Sequence, residues 1–254
     1  NYTLSYDDLY EVSDLASNAV RQAAGDYLTS AVGAAISYDT RNHPRSPTRG
    51  LYFQLASDFA GVGGDVQYVR LLGEGRGYYP ITEKVTFVGR AIAGHIGGWG
   101  GQDVRLLDLF YKGGETIRGF DKSGLGPRDT ATGDALGGQS FWAATAEVRF
   151  PIPLIPDELG MSAAVFADAG SLFGASAFTK DTSKVGTCGV NTVVNGITRP
   201  GVCLADSDAI RTSVGAGILW NSPVGPLRLD YAHALSKETF DKTQMIRFGA
   251  STKF

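Results

Sequence analysis

Arg118 stands between a branched apolar residue and a Gly-Phe pair, within Gly113-Gly114-Glu115-Thr116-Ile117-Arg118-Gly119-Phe120. That segment lies in a long loop of a chain that otherwise reads as short alternating strands. A guanidinium presents five N–H donors in a rigid fork that matches carboxylates. On so long a tether, Arg118 is expected to reach back into a barrel lumen and pair with acidic groups there. Loop arginines are more commonly just solvated, so the choice between the readings falls to the strands that would have to build the lumen.

Other residues with chemical potential point to structure. His43, His95 and His233 lie in or near different rims, and their spacing supports no Ser-His-Asp arrangement. No nucleophile elbow or zinc motif accompanies the acids, so the chain is expected not to be an enzyme, with no catalytic residue, no cofactor and no metal. The glycine tracts 61–64 and 97–101 read as turns, because neither is followed by a helix whose amino terminus could hold phosphate. Cys188 and Cys203 share a Gly/Asn/Thr-rich stretch with no His or third Cys nearby. A disulfide is the better reading than a metal site, and it implies an oxidising compartment.

Composition narrows the class. The chain has 254 residues, 43% hydrophobic and 19% charged, and no apolar run reaches the roughly 18 residues of a spanning helix. Its 34 glycines with 13 Phe and 11 Tyr favour strands and turns. A net charge of −3 gives no basic footprint for nucleic acid. The opening residues carry neither a charged nor an apolar leader segment, so the chain is expected to begin inside a longer precursor.

Period-2 alternation runs through most of the chain. Trp142, Ala144, Ala146, Val148 and Phe150 share one face, and Ala143, Thr145, Glu147 and Arg149 the other. Ile218 and Trp220 oppose Arg211 and Gly217; Leu229 and Tyr231 oppose Arg228 and Asp230; Ile246, Phe248, Ala250, Thr252 and Phe254 oppose Arg247, Gly249, Ser251 and Lys253. About ten strands of roughly ten residues result, the length a tilted membrane strand needs. Connections 11–30 (with a helix-like stretch 13–24), 98–138 and 171–208 are long and fall on one side, whereas 41–49, 80–83, 152–160 and 221–225 are short and fall on the other. Gly61 to Gly64 is expected to be a further tight turn.

Alternation also suits a soluble sandwich or lipocalin-like barrel, but such a fold buries apolar side chains. Here one face carries Glu147, Arg149, Asp168, Arg211, Arg228, Asp230, Arg247 and Lys253, which fits an aqueous interior with an apolar exterior. The expected fold is all-β, a transmembrane antiparallel barrel, with residues 1–254 as one partial barrel domain.

The segment Ile117-Arg118-Gly119-Phe120, followed by Gly124-Leu125-Gly126-Pro127-Arg128-Asp129, resembles the signature loop of the BamA family of outer-membrane assembly barrels and of the related secretion and translocation-assembly barrels. Phe166-Ala167-Asp168-Ala169-Gly170 and Ser222-Pro223-Val224-Gly225-Pro226-Leu227-Arg228-Leu229-Asp230-Tyr231-Ala232 look like its last strands. The resemblance implies that the chain corresponds to about the last ten of sixteen strands, without the first six or the periplasmic POTRA domains. It implies that loop 98–138 folds into the lumen, with Arg118 braced against Glu147 and Asp168; strand parity agrees, placing both acids on the charged faces. Loop 171–208, with its cysteines, would be extracellular.

The implied function is insertion of unfolded outer-membrane protein clients into the lipid bilayer of the bacterial outer membrane. Accessory lipoproteins would act through the periplasmic domains, and nucleic acid would have no part. The alternative is a two-partner-secretion or translocation-type pore of related fold. The terminal strand, with Ile246, Phe248, Gly249, Ala250, Ser251 and Phe254, would form the assembly signal and seam edge. The glycine that kinks the family's last strand falls at Ser251, with glycine at Gly249 instead.

Overall fold

The computed structural model describes residues 1–44, 46–153, 155–156, 159–194, 197–222 and 225–250. Ten strands build one sheet: β1 (Tyr2–Leu9), β2 (Gly25–Asp39), β3 (Gly50–Gly64), β4 (Tyr68–Pro80), β5 (Thr86–Gly98), β6 (Ser140–Pro151), β7 (Met161–Phe173), β8 (Arg211–Ser222), β9 (Gly225–Ser236) and β10 (Ile246–Ala250). Each pairs antiparallel with its neighbour in the chain, and among the described residues β1 and β10 share no ladder, so they are the two end strands of this sheet. Among the described residues no helix is long and apolar enough to cross a membrane.

The pleat sorts the side chains. Ile36, Tyr38, Leu51, Phe53, Leu55, Val214, Ile218, Leu229, Tyr231, Ile246 and Phe248 stand exposed on the outer face. A belt of that extent exceeds the apolar patches that soluble monomers tolerate and suits contact with lipid tails. Glu147, Asp168, Arg211 and Asp230 are buried on the inner face. The core is not made by strands facing one another. It forms where the segment between β5 and β6 packs Leu106, Leu109, Phe110, Ile117, Phe120, Leu125 and Leu136 against Phe141, Ala143 and Leu172 of the concave wall.

Three expectations about connections change. The first connection is shorter than 11–30, since β2 already begins at Gly25, pairing with Leu9, and the helix α1 is only Asn18–Gln22. Alternation persists from Asp26 onward, and one ladder bond per residue outweighs a weak helical preference in a short segment. Gly61 to Gly64 belongs to β3 rather than to a turn. Positive φ at Gly61, Gly63 and Gly64, with a register shift between Thr29 and Ala31, makes this a bulge that only glycine carries comfortably. The reversal follows it, where Asp65 donates its N–H to Leu28 O and accepts the Leu28 N–H on its carboxylate. The long segment 99–139 is also not irregular throughout, because Gly119–Phe120 and Arg128–Asp129 form short ladders with Gln244–Thr243 and Ala205–Leu204.

Ile218 lies near the middle of β8 on the outer face. Ile218→Arg should cost about 2–4 kcal/mol of stability in a lipid-embedded barrel. Reversible urea unfolding in vesicles measures this, and an unchanged midpoint would refute a lipid-facing β8.

Candidate functional site

The inward segment 99–139 sets the site. A turn in which Thr116 and Ile117 both donate N–H to Gly113 O points Arg118 at the wall. Gly119 follows at φ +91°, and a Cβ there would stand 3.4 Å from Ser213 Cβ and 3.5 Å from Ala232 Cβ. Glycine is what lets the backbone press against β8 and β9 in that left-handed conformation. Ile117 and Phe120, on either side of this pair, are almost wholly buried.

Arg118 spends its donors on two strands. Nε donates to Asp168 Oδ2 and Nη2 to Asp168 Oδ1, both at 2.7 Å, and the Arg118 backbone N–H reaches Oδ2 at 2.9 Å. Nη1 donates to Glu147 Oε2 at 2.6 Å. The guanidinium lies 3.3 Å from the centroid of Phe166, whose face completes the cage by cation–π stacking. Glu147 also accepts from Arg149 Nε and from Arg228 Nη2, each at 2.7 Å, and Arg228 Nε reaches Asp230 at 2.7 Å. Three guanidiniums thus meet three carboxylates in a network without net charge. Burial makes it costly to break, since losing one member strands a charge in a poorly solvated place.

A second junction lies at the opposite end of the segment. Asp129 accepts Ser17 Oγ at 2.6 Å and the backbone N–H groups of Cys203 and Ala131 at 3.0 Å. Thr130 N–H returns to Cys203 O at 2.9 Å. One buried carboxylate therefore gathers all three long connections. Cys188 and Cys203 are disulfide-bonded, with Cα atoms 4.6 Å apart. Nearby, Lys112 lies 4.1 Å above the Phe141 ring, and burial, reinforced by Arg90, pushes its ammonium below the ordinary range.

The structure brings Ile117, Arg118, Gly119, Phe120, Glu147 and Asp168 together. It sets Ile246 and Phe248 outward on β10, where Gly249 pairs with Arg228 and Ala250 with Leu227. Ser251 and Phe254 lie outside the described residues. Sequence reading put Arg149, Arg228 and Asp230 on the inner face without joining them to Glu147, although Glu147/Arg149 and Arg228/Asp230 are two-residue repeats that a pleat places side by side. Asp129 is read in the sequence only as the end of the signature loop and Asp241 is not singled out, because no spacing marks either as a junction. The His95 ring meets Ser140 Oγ at 2.8 Å, but among the described residues no carboxylate takes its other nitrogen. Likewise, no group of three or more His, Cys, Asp or Glu is placed to hold a metal ion.

Comparison with known proteins agrees with the geometry. The Omp85 superfamily domain model matches residues 1–254. The chain is 35% identical over 254 residues to "Outer membrane protein assembly factor BamA" of Neorickettsia risticii, covering 100% of the chain and 31% of that protein. It is 30% identical over 255 residues to "Sorting and assembly machinery component 50 homolog" of Homo sapiens, covering 96% of the chain and 49% of the relative. The crystal structure of BamA from Haemophilus ducreyi lacking POTRA domains 1-3 superposes with a TM-score of 0.74 at 20% identity, over 97% of this chain and 49% of that one. The chain thus spans between about a third and a half of these relatives' length.

Two outcomes follow from the two junctions. Arg118→Ala should expose segment 99–139 to protease in a folded, lipid-embedded barrel, whereas wild type resists; equal resistance would show that the apolar contacts suffice. Non-reducing mass spectrometry should find Cys188 and Cys203 joined. Reduction should lower stability by about 3 kcal/mol in the loop-closure view, and an unaltered unfolding midpoint would contradict that contribution.

Proposed function

The chain belongs to the Omp85 superfamily, and from that premise we propose that it is the carboxyl-terminal part of an outer-membrane protein insertase barrel. The substrates are unfolded outer-membrane proteins, the site of action is the bacterial outer membrane, and the work is done by strand pairing and membrane deformation rather than covalent chemistry. The names of the BamA and Sam50 relatives support this reading. The observation that carries it is the apolar outward belt of the sheet together with an interior fixed by the Arg118 network. In the whole protein a seam at the terminal strand would template an incoming strand through main-chain hydrogen bonds, and a fixed interior keeps that strand in place.

Accessory lipoproteins would engage periplasmic domains of the whole protein and feed clients to the edge. The lipid bilayer is the second partner, met by the apolar belt. The alternative, a secretion-type pore, needs an open passage through the lumen, which segment 99–139 occupies here.

Full-length protein reconstituted in vesicles should increase the yield of a folded, heat-modifiable client barrel several-fold over empty vesicles. Release of an unfolded client into the vesicle interior, without its insertion, would favour the pore.

A further inference from the structure

Arg211 and Asp241 form an ion pair in which both side chains are completely buried. Arg211 opens β8, and Asp241 sits in the 237–245 connection that leads into β10. Arg211 Nε donates to Asp241 Oδ2 at 3.0 Å and Nη2 to Oδ1 at 3.3 Å. Nη1 is shared among Ser171 Oγ at 3.3 Å and the carbonyls of Ser207 and Ala209, both at 2.8 Å. Asp241 Oδ2 also accepts the Glu238 N–H at 2.8 Å. Hydrophobic residues of similar volume would hold a loop at less desolvation cost, so a wholly buried pair calls for a reason beyond stability.

The connection next to this pair supplies the reason. Immediately after Asp241, Lys242 N–H donates to Gly124 O and Asp121 N–H to Lys242 O, both at 2.9 Å. Thr243 and Gln244 then pair with Phe120 and Gly119, directly beyond Arg118. The next residues are the end of the connection and β10 itself, whose ladder with β9 covers Ile246 through Ala250 among the described residues. Arg247 of β10 reaches the same inward segment again, at Glu115 Oε1, 2.9 Å. That contact is weak, because Glu115 is 79% exposed. The terminal strand is therefore held by its ladder to β9 and by the backbone contacts of Lys242, Thr243 and Gln244 with the inward segment, while the Arg211–Asp241 pair just ahead of those contacts anchors the connection to the start of β8.

We propose that Arg211 and Asp241 are positioning residues: by anchoring the 237–245 connection to the start of β8 they hold residues 242–244 against segment 119–124, so that the terminal strand and the Arg118 brace move as one unit. The proposal rests on the insertase reading for its consequence, because a terminal strand whose angle is set by the brace presents a fixed template to a client. Its structural content stands apart from that reading. A buried, oriented fork on a strand end is a pivot, and the residues between pivot and edge are few. With the fork intact, residues 242–244 are held where they meet segment 119–124; breaking it leaves only those backbone contacts to set the position of β10.

The test uses the full-length protein in lipid vesicles. With Asp241→Asn, backbone amides of 119–121 and 243–250 should exchange at least about tenfold faster, while β2 to β5 keep wild-type protection. Client insertion should fall several-fold. A disulfide between cysteines introduced at positions 121 and 242, where the backbones already meet, should restore both protection of 246–250 and insertion. If Asp241→Asn gives no heat-modifiable barrel, Arg211→Lys, which keeps the charge and loses the fork, is read in the same way. Uniform loosening of the whole sheet, unchanged exchange at 243–250, or insertion that the crosslink does not restore would each overturn the proposal. Wild-type protein that shows the local exchange pattern but inserts no client would refute the functional reading and leave the positioning role standing.

Discussion

Everything in this molecule depends on placing one guanidinium where water is scarce. Arg118 enters a region walled by Phe166 and by two buried strands, and it is tolerable there because Asp168 takes three of its donors and Glu147 a fourth. Glu147 in turn is shared with Arg149 and Arg228. Charge-assisted bonds of this type are strong and directional, and their worth grows as solvent is excluded. The network ties β6, β7 and β9 to the inward segment through the Arg118 guanidinium and its backbone N–H. The charged concave wall is completed by the segment, which adds most of the apolar filling against Phe141, Ala143 and Leu172 and adds Arg118 to the charge network.

That arrangement explains an otherwise odd distribution of burial. Many large apolar side chains of the strands point outward, and much of the apolar core is contributed by the inward segment packed on Phe141, Ala143 and Leu172. Two fixed points hold that loop, one at Arg118 and one at Asp129, where the backbone of the disulfide-bonded connection is received. Between them runs the contact to residues 241–244 and so to the terminal strand. The interior is a set of constraints converging on one edge of the sheet, while the opposite edge, β1, is tied mainly by its ladder to β2 and by the Arg105–Asp7 contact.

Much of the fold was legible because a pleat writes itself into sequence with period two. The strands around Glu147 and Arg228 alternate clearly and that around Asp168 more weakly, and the structure buries Glu147, Asp168 and Asp230 on the inner face as their parity places them. Glycine misled at Gly61 to Gly64, where it marks a bulge inside β3, since a bulge and a turn make the same demand for positive φ. The helix-like stretch 13–24 ahead of β2 is realised only over Asn18–Gln22, because so short a segment is marginal as a helix. In the site, the residues of the brace were visible through the signature loop, and their two-strand geometry through parity. The sharing of Glu147 among three arginines, and the pairing of Arg211 with Asp241, depend on contacts between segments distant in the chain, for which a single sequence has no local sign.

The central claim is that Arg118 and Asp168 are energetically coupled and not merely adjacent. A double-mutant cycle in the full-length, lipid-embedded protein, using Arg118→Met and Asp168→Leu, measures that coupling directly through reversible unfolding. Each single change should be strongly destabilising, because it leaves a buried charge alone, and the double variant should recover much of the loss, giving a coupling energy above about 2 kcal/mol. Single effects that add to within about 0.5 kcal/mol would contradict it, and would mean that the segment is held by its apolar contacts with Arg118 only resting beside the wall.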